Sequence, residues 1–361
     1  MSSGPRQKWE RFRENRWALI GAVYLSSALL LALLAPLLCN YRPLILYWDG
    51  ALYSPALSPP DATIFGETIA TEPDYRTLVR TRDSRTHRRW ALFPVIPYGP
   101  NESHRLSTPP PSPPSRAHWL GTDDRGRDLA ARLLYGLRST LLFSGLAWLL
   151  IALLATTVGC LQGYSGGWID FVIQRLTEIF NALPILYVII FLLSLLQPSL
   201  IALAAVWGLF NWVGLAGYTR AEALRVRQLD YIAAAKSEGL STPRILLRHV
   251  LPNSLLPLLT FTPFIIGAAI TSLAALDYLG LGLPPPTATW GELLRQGKEN
   301  LSAWWLSLFP FLSLSTTLLA LNFIGEGLRS AIDPADRMTR VRTKIKKGNA
   351  PTGSIEQMLS D

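Results

Sequence analysis

Charged residues are scarce in this chain of 361 residues: 16% of them are charged, whereas soluble domains average roughly 25%. The deficit is concentrated in five stretches that contain no Asp, Glu, Lys or Arg: 17–38, 139–169, 179–219, 250–276 and 300–325. A helix needs roughly 20 apolar residues to cross a bilayer. Each stretch can therefore span a membrane, and a soluble protein with deeply buried helices is the less favoured alternative.

Cysteine is also rare, and no motif for catalysis is present. Cys39 and Cys160 lack metal-ligand spacing, so we predict that they are small buried side chains. The segment nearest to a phosphate-binding loop runs from Gly291 to Glu299, but it has five residues between its glycines and Glu where Ser or Thr is required. No Ser/His/Asp arrangement is evident either. We therefore predict no catalytic, cofactor-binding or metal-binding residue and no ATP hydrolysis by this chain.

The uncharged stretches predict an all-α polytopic membrane protein with six spans, because Gln197-Pro198-Ser199 divides the longest stretch into two. The predicted spans are 17–38, 139–163, 170–196, 199–219, 253–276 and 303–326. Pro184 is expected to kink the third. Basic residues precede the first span and follow the last, and Lys and Arg near span ends stay cytoplasmic. Both termini are thus predicted to be cytoplasmic. Nucleic-acid binding by these basic runs is the weaker interpretation.

The remaining segments complete a predicted domain organisation. Residues 1–16 form a cytoplasmic tail, 39–118 an insertion outside the cytoplasm, 119–138 a segment before the second span, 139–334 a helical core with the other five spans and 335–361 a second basic tail. Within the insertion, Asp49-Gly50 lies between apolar runs, which predicts a β-hairpin.

One substantial cytoplasmic loop, residues 220–252, has the features of two short helices. Asp230 is predicted to cap an Ala-rich helix that Gly239 ends. Ser241 or Thr242 caps the second helix, which has Pro243 in its first turn and which Pro252 ends or kinks. A small Ala-Ala face on the cytoplasmic side favours a docking element. A plain helical linker and a DNA-reading helix-turn-helix are the alternatives.

This loop resembles the EAA motif of binding-protein-dependent ABC importer permeases, which reads Glu-Ala-Ala, three residues, Gly, a spacer and then Leu-Pro. Ala233 stands where that family often has Glu, and His249 where it often has Ile. The resemblance implies that residues 230–239 form a coupling helix that docks in a cleft of a cytoplasmic ATPase. The residues implied in coupling are Asp230, Tyr231, Ala234, Ala235, Lys236, Gly239, Leu251 and Pro252.

Three further segments resemble signatures of the dipeptide and oligopeptide subfamily of these permeases. The first contributes Gly121, Thr122, Asp123, Gly126, Arg127 and Asp128. The second contributes Gly280, Gly282, Pro284, Trp290 and Gly291. The third contributes Gly325, Arg329, Asp333 and Pro334, although Glu326 and Ser330 replace acids of the family pattern.

The resemblance implies the type I importer permease fold in a bacterial inner membrane, surrounded by lipid. It implies a homologous permease subunit, two cytoplasmic ATPase subunits that use ATP, a periplasmic binding protein and a peptide substrate, with no nucleic acid. The long insertion and Pro111-Ser112-Pro113-Pro114-Ser115-Arg116 resemble the Yej-type branch, which implies oligopeptides and peptide antibiotics of the microcin C kind.

Other functions remain as alternatives. A permease of the same class for nickel or glycosides shares these motifs. An ion-coupled secondary transporter is disfavoured because its spans would carry ionisable residues, and here Arg175, Glu178, Asp277 and Glu326 lie at span ends. A membrane enzyme would need convergent catalytic groups, and a scaffold would not explain the Ala-Ala loop in register with Leu-Pro.

Overall fold

The structure is a computed structural model that describes residues 5–48, 50–65, 73–80, 89–103, 109–195 and 198–332. Helices dominate it, as the sequence predicted. They are α1 (Pro5–Glu14), α2 (Arg16–Leu38), α3 (Tyr75–Arg80), α4 (Leu129–Ser165), α5 (Gly167–Ala182), α6 (Ile185–Leu195), α7 (Leu200–Asn211), α8 (Val213–Arg227), α9 (Asp230–Ser237), α10 (Thr242–Ile245), α11 (Leu251–Asn253), α12 (Leu256–Tyr278), α13 (Trp290–Glu299) and α14 (Trp304–Ile332).

Four continuous helices are long and apolar enough to cross a membrane: α2, α4, α12 and α14. Two further spans are possible if each of two bent helix pairs crosses once, which gives up to six. The described part of the chain thus has the predicted all-α polytopic architecture.

The third and fourth predicted spans are each divided between two helices. The sequence predicted a kink at Pro184 in the third, whereas the bend in the fourth corrects the expectation of one continuous helix. Helices α5 and α6 meet at 81° around Leu183 and Pro184. Leu183 is extended, with φ −79° and ψ 127°, as expected for a residue before proline. Helices α7 and α8 meet at 46° around Trp212. Helix α8 also continues to Arg227, so the first part of the loop 220–252 is a helical extension of the fourth span.

The insertion contains a small antiparallel sheet. Strand β1 (Ile45–Trp48) pairs with β2 (Ala51–Tyr53) and, on its other edge, with β3 (Trp90–Leu92). The predicted hairpin is confirmed, with Gly50 at φ +91° in its turn, while Asp49 lies outside the described residues. Leu46, Trp48 and Tyr75 are buried together beneath the sheet, so the insertion has a hydrophobic core of its own.

Both cysteines are free and buried, which confirms the prediction made for them. Cys39 immediately follows α2 and pairs with Ile96 of the insertion in an isolated β-bridge. Burial raises the pKa of the Cys39 thiol to about 12, so this thiol stays protonated and unreactive at neutral pH.

Helix α4 packs closely against α8 through two glycines four residues apart. A Cβ atom at Gly159 would lie 2.7 Å from the Ala216 carbonyl oxygen, and one at Gly163 would lie 2.5 Å from that of Arg220. Small residues let membrane helices approach at backbone distance. This contact joins the second span to the helix that leads into α9.

Candidate functional site

Helix α9 is anchored to the spans by one buried face. Ile232 and Ala235, three residues apart, are 0% and 5% exposed. They pack in a cluster with residues of α4, α8 and the segment that returns to α12: Cys160, Tyr164, Ala223, Val226, Ile245 and Val250. Because this cluster holds α9 against the ends of α4 and α8, a displacement of α9 would be transmitted to both spans.

A second face of α9, beside the buried one, is exposed. Tyr231, Ala234 and the capping residue Glu238 succeed one another at helical spacing along it, and all three are exposed. We call these three residues the docking face. Asp230, Ala233 and Lys236 are also exposed, and the Lys236 Nζ lies 5.2 Å from the centre of the Tyr164 ring. A partner surface could approach closely at Ala234, because its side chain is a single methyl group.

The C-terminal end of α9 is the stop that the sequence predicted. Gly239 has φ +79°, a conformation that favours glycine. Its amide donates to the Lys236 carbonyl at 3.0 Å, and the Leu240 amide donates to the Ala235 carbonyl at 3.2 Å. These two hydrogen bonds are the Schellman pattern of helix termination.

The N-terminal end of α9 differs from the prediction. Leu229, rather than Asp230, occupies the capping position, and Asp230 is the first helical residue without a side-chain capping bond. Its carboxylate still lies in the first turn, where it interacts favourably with the helix dipole. The predicted N-cap was therefore wrong by one residue.

The return segment contains a π-helical turn, Leu246–Val250, between α10 and α11. Pro243 lies in the first turn of α10 as predicted, although Ser241 caps it without a side-chain hydrogen bond. Leu251 is half-buried against the cluster beneath α9, and Pro252 is exposed within the three-residue helix α11. The helical path is thus interrupted before α12, as Pro252 led us to expect.

The first signature folds into a compact turn that begins α4. The Asp123 carboxylate accepts from the amides of Arg125 and Arg127, both at 2.9 Å. Asp128 caps α4 by accepting from the Ala131 amide at 2.9 Å, and its other oxygen lies 2.8 Å from the His118 Nδ1. Burial, reinforced by the carboxylate of Asp123, raises the pKa of Asp124. Gly121 and Gly126 have positive φ angles, and Thr122 accepts from the Ser112 amide.

A buried polar cluster connects this turn to α13. We use that name for Asp123, Arg127, Arg132, Glu292 and Gln296. Arg127 Nε donates to Asp123 at 2.6 Å, and Arg127 Nη2 lies 3.4 Å from the Glu292 carboxylate. Arg132 is fully buried and pairs with both Glu292 and Asp123. Two arginines and two carboxylates thus balance in charge, and Gln296 donates to Glu292 at 3.1 Å.

The second signature packs against the same end of the molecule. Gly280 has φ +76°, and Gly282 lies directly against the Asp277 carboxylate. Pro284 continues this loop towards α13. The Trp290 indole donates to the Leu133 carbonyl of α4 at 3.0 Å, and a Cβ at Gly291 would lie 2.6 Å from that of Asp277. The first two signatures therefore meet, as buried structure, at the start of α4.

The third signature lies elsewhere. Gly325 packs against the Phe264 ring, while Glu326 and Arg329 are exposed. Ser330 donates to the Gly327 carbonyl at 3.1 Å. Asp333 and Pro334 lie outside the described residues, as does the predicted tail 335–361.

Sequence reasoning missed four members of these buried networks: His118, Arg132, Glu292 and Gln296. One sequence signal could have indicated Arg132. It lies only seven residues before an uncharged span of 31 residues, and a charge this close to the membrane is costly unless it is paired. The docking face and the polar cluster lie at opposite ends of α4, a helix of 37 residues, which corresponds to about 55 Å.

Comparison with known proteins agrees with this architecture. Residues 155–337 match the family described as the binding-protein-dependent transport system inner membrane component, and residues 6–60 match the N-terminal TM domain of oligopeptide transport permease C.

Relatives along most of the chain include the inner membrane ABC transporter permease protein YejE of Escherichia coli K12, which is 42% identical over 91% of this chain and 96% of its own length. The peptidoglycan transport system permease protein YejE of Agrobacterium fabrum is 34% identical over 91% and 92%. The dipeptide transport system permease protein DppC of Alkalihalophilus pseudofirmus is 31% identical over 91% and 89%.

Proposed function

The chain belongs to the family of binding-protein-dependent transport system inner membrane components, and from that premise we propose that it forms half of a peptide pathway driven by ATP. Its family consists of multi-pass permease subunits rather than enzymes. The relatives named for dipeptide and peptidoglycan transport support a peptide-like substrate for this chain. Oligopeptides, including peptide antibiotics of the microcin C kind, are the substrates we propose.

The proposed assembly has three kinds of protein partner. A homologous permease completes the pathway, two cytoplasmic ATPases bind and hydrolyse ATP, and a periplasmic binding protein delivers the peptide. This arrangement requires both termini of the chain in the cytoplasm, since α9 must face the ATPases. The insertion 39–118 then lies in the periplasm.

The observation that carries the coupling role is the two-faced packing of α9. Its buried face, Ile232 and Ala235, fixes it to the spans, while Tyr231, Ala234 and Glu238 remain open. Closure of the ATPases would push on the docking face, and the buried face would pass that movement to α4 and α8. Ala235 and Gly239 act in this proposal by holding α9 in place rather than by contacting the ATPase.

Replacing Ala234 by tryptophan tests this role, because a large ring on the docking face prevents close approach without disturbing the buried cluster. We expect Ala234→Trp to reduce copurification of the ATPases and peptide uptake by about tenfold, equivalent to about 1.4 kcal/mol of docking energy. The matched control is Ala221→Trp, which places the same ring at an exposed alanine of α8. Normal ATPase association and uptake by Ala234→Trp would refute the coupling role.

A further inference from the structure

A cavity of about 400 Å³ lies where α12 ends and α13 begins. It is lined by Ser194 of α6, by the loop 280–285 and by the side chains of Asp277, Glu292 and Arg295. Its volume falls within the range of about 300–1,000 Å³ that is typical of ligand pockets. In the proposed topology this end of the molecule faces the periplasm, where peptide arrives.

Asp277 is held rigidly at the wall of this cavity. It is 4% exposed, and its Oδ1 accepts from the Leu283 amide at 2.7 Å. The Thr289 hydroxyl also interacts with the carboxyl group by hydrogen bonding. Among the residues that the structure describes, no hydrogen-bond partner meets the Asp277 Oδ2, which is itself buried. Oδ1 thus binds the loop through the Leu283 amide, while Oδ2 has no hydrogen-bond partner within the described residues.

The other charged groups of the cavity are already paired. Glu292 contacts both Arg127 and Arg132, and Arg295 lies 3.3 Å from the Glu299 carboxylate. Within the described residues, no salt bridge reaches Asp277. The charged side chain that acts on it is Glu292, which is also negative. A buried carboxylate without a counter-ion is costly, so a cationic group that entered the cavity would be bound favourably.

We propose that this cavity receives a primary ammonium group of the transported peptide, which the negative charge of Asp277 attracts. A single carboxylate without a counter-ion suits a compact ammonium group, whereas a divalent metal ion prefers about six oxygen ligands. The inference rests on the proposed function, since it assumes that peptide passes this end of the molecule. It adds a specificity residue that acts on the charge of the substrate.

Asp277→Asn is the informative variant, because the asparagine oxygen still accepts from the Leu283 amide while the negative charge is lost. Asp277→Ala removes both. Asp61→Asn, at an exposed position of the insertion, controls for the loss of one negative charge. Each variant is assembled with its permease, ATPase and binding-protein partners in proteoliposomes. Uptake is measured for trialanine, Nα-acetyl-trialanine and Nα-acetyl-lysyl-dialanine, and each rate is divided by the wild-type rate for the same peptide.

We expect Asp277→Asn and Asp277→Ala to lower uptake of trialanine by about tenfold, the effect of losing about 1.4 kcal/mol, while Asp61→Asn transports normally. Uptake of Nα-acetyl-trialanine should change less than about twofold, since it has no ammonium group to lose. If uptake of Nα-acetyl-lysyl-dialanine decreases as much as uptake of trialanine, the cavity accepts side-chain ammonium groups as well as the peptide N-terminus.

Two results would overturn the inference: wild-type uptake of trialanine by Asp277→Asn when Asp277→Ala is impaired, or an equal loss for acetylated and free peptides. The comparison of Asp277→Asn with Asp277→Ala uses trialanine alone, so it tests the inference even if the binding protein does not bind the acetylated peptide. Failure of the wild-type assembly to import any of the three peptides would instead contradict the proposed function.

Discussion

Arg132 has the largest side chain among the fully buried residues of the described chain, and it is charged. Its guanidinium forms ion pairs with Glu292 and Asp123, and its Nη1 donates to the Pro100 carbonyl at 2.9 Å. One arginine thus joins the insertion, the start of α4 and α13. Together with Arg127 and Trp290, it joins the first two signature segments, about 150 positions apart in the chain, into one unit.

Removing that guanidinium should destabilise the protein strongly. Breaking a buried ion pair by removal of one partner typically costs about 3–5 kcal/mol, because the other charge stays buried. We therefore expect Arg132→Met to lower the melting temperature of the purified protein by several degrees and to reduce its yield.

The double variant Arg132→Met with Glu292→Leu is the appropriate comparison, since it removes both charges and leaves Arg127 paired with Asp123. It should melt closer to the wild type than Arg132→Met alone, as measured by differential scanning fluorimetry in detergent. A double variant that is destabilised by the sum of the two single changes would show that the pair is not coupled.

Local rules predicted some residues well and others not at all. Gly239 was placed correctly, because only glycine readily adopts the φ of +79° that ends α9. Asp230 was assigned to the cap that Leu229 occupies, because capping preferences locate a helix start only within a residue or two. The pairing of Arg132 with Glu292 spans 160 positions, and no local pattern encodes a contact over that distance.

Helix α4 connects the two ends of the protein, and α8 packs against its C-terminal part. Gly159 and Gly163 bring the two helices to backbone contact, and Asp170 of α5 pairs with Arg220 of α8 through two hydrogen bonds of 2.7 Å near the same end. We expect helices in such close contact to move together. We infer that the proposed push on α9 travels along this pair.

A larger residue at Gly163 should separate the pair and uncouple it. The added Cβ would lie 2.5 Å from the Arg220 carbonyl oxygen and 2.8 Å from the Ala223 Cβ, so α8 has to shift. We expect Gly163→Val to reduce peptide uptake more than tenfold, a loss above about 1.4 kcal/mol, while the assembled complex still hydrolyses ATP.

Gly145→Val is the control on the same helix, because a Cβ at Gly145 meets nothing within 4 Å. It should transport peptide at close to the wild-type rate. Equal effects of the two valines would attribute the loss to the altered helix rather than to the α4–α8 contact.

At the scale of helices, how well an end or a bend was predicted depended on whether the local sequence causes it. The outer limits of the spans were predicted within a few residues, with three exceptions: the early start of α4 at Leu129 and the extensions of α8 to Arg227 and of α14 to Ile332. The end of a charge-free run need not be the end of a helix. The bend at Pro184 could be predicted because proline interrupts a helix. The bend at Trp212 did not, because Trp212 itself has helical angles of φ −76° and ψ −22°, and packing rather than local sequence decides such a bend.

Across the whole molecule, the two conspicuous sites lie at opposite ends of the bundle. The docking face follows the end of α8, while the polar cluster and the cavity beside Asp277 surround the start of α4. A permease needs this separation, because energy arrives from the cytoplasm and peptide from outside. The number of spans and the basic termini predict that the docking face is cytoplasmic and that the cavity faces the periplasm.

The most direct test of this account joins α9 chemically to its proposed partner. Cys39 and Cys160 are buried, so a cysteine introduced on the docking face supplies the accessible thiol among the described residues. Ala234→Cys is assembled in membranes with its partners, labelled with a maleimide that carries a benzophenone group and irradiated, so that the crosslink needs no cysteine on the partner. Leu301→Cys, 86% exposed between α13 and α14, is the matched control at the other end.

We predict that Ala234→Cys crosslinks to the ATPase subunit and is protected from impermeant maleimide added outside spheroplasts, whereas Leu301→Cys is labelled from outside and does not reach the ATPase. Labelling of Ala234→Cys from outside, or crosslinking of the ATPase to Leu301→Cys instead, would contradict the orientation and the coupling role of α9 together.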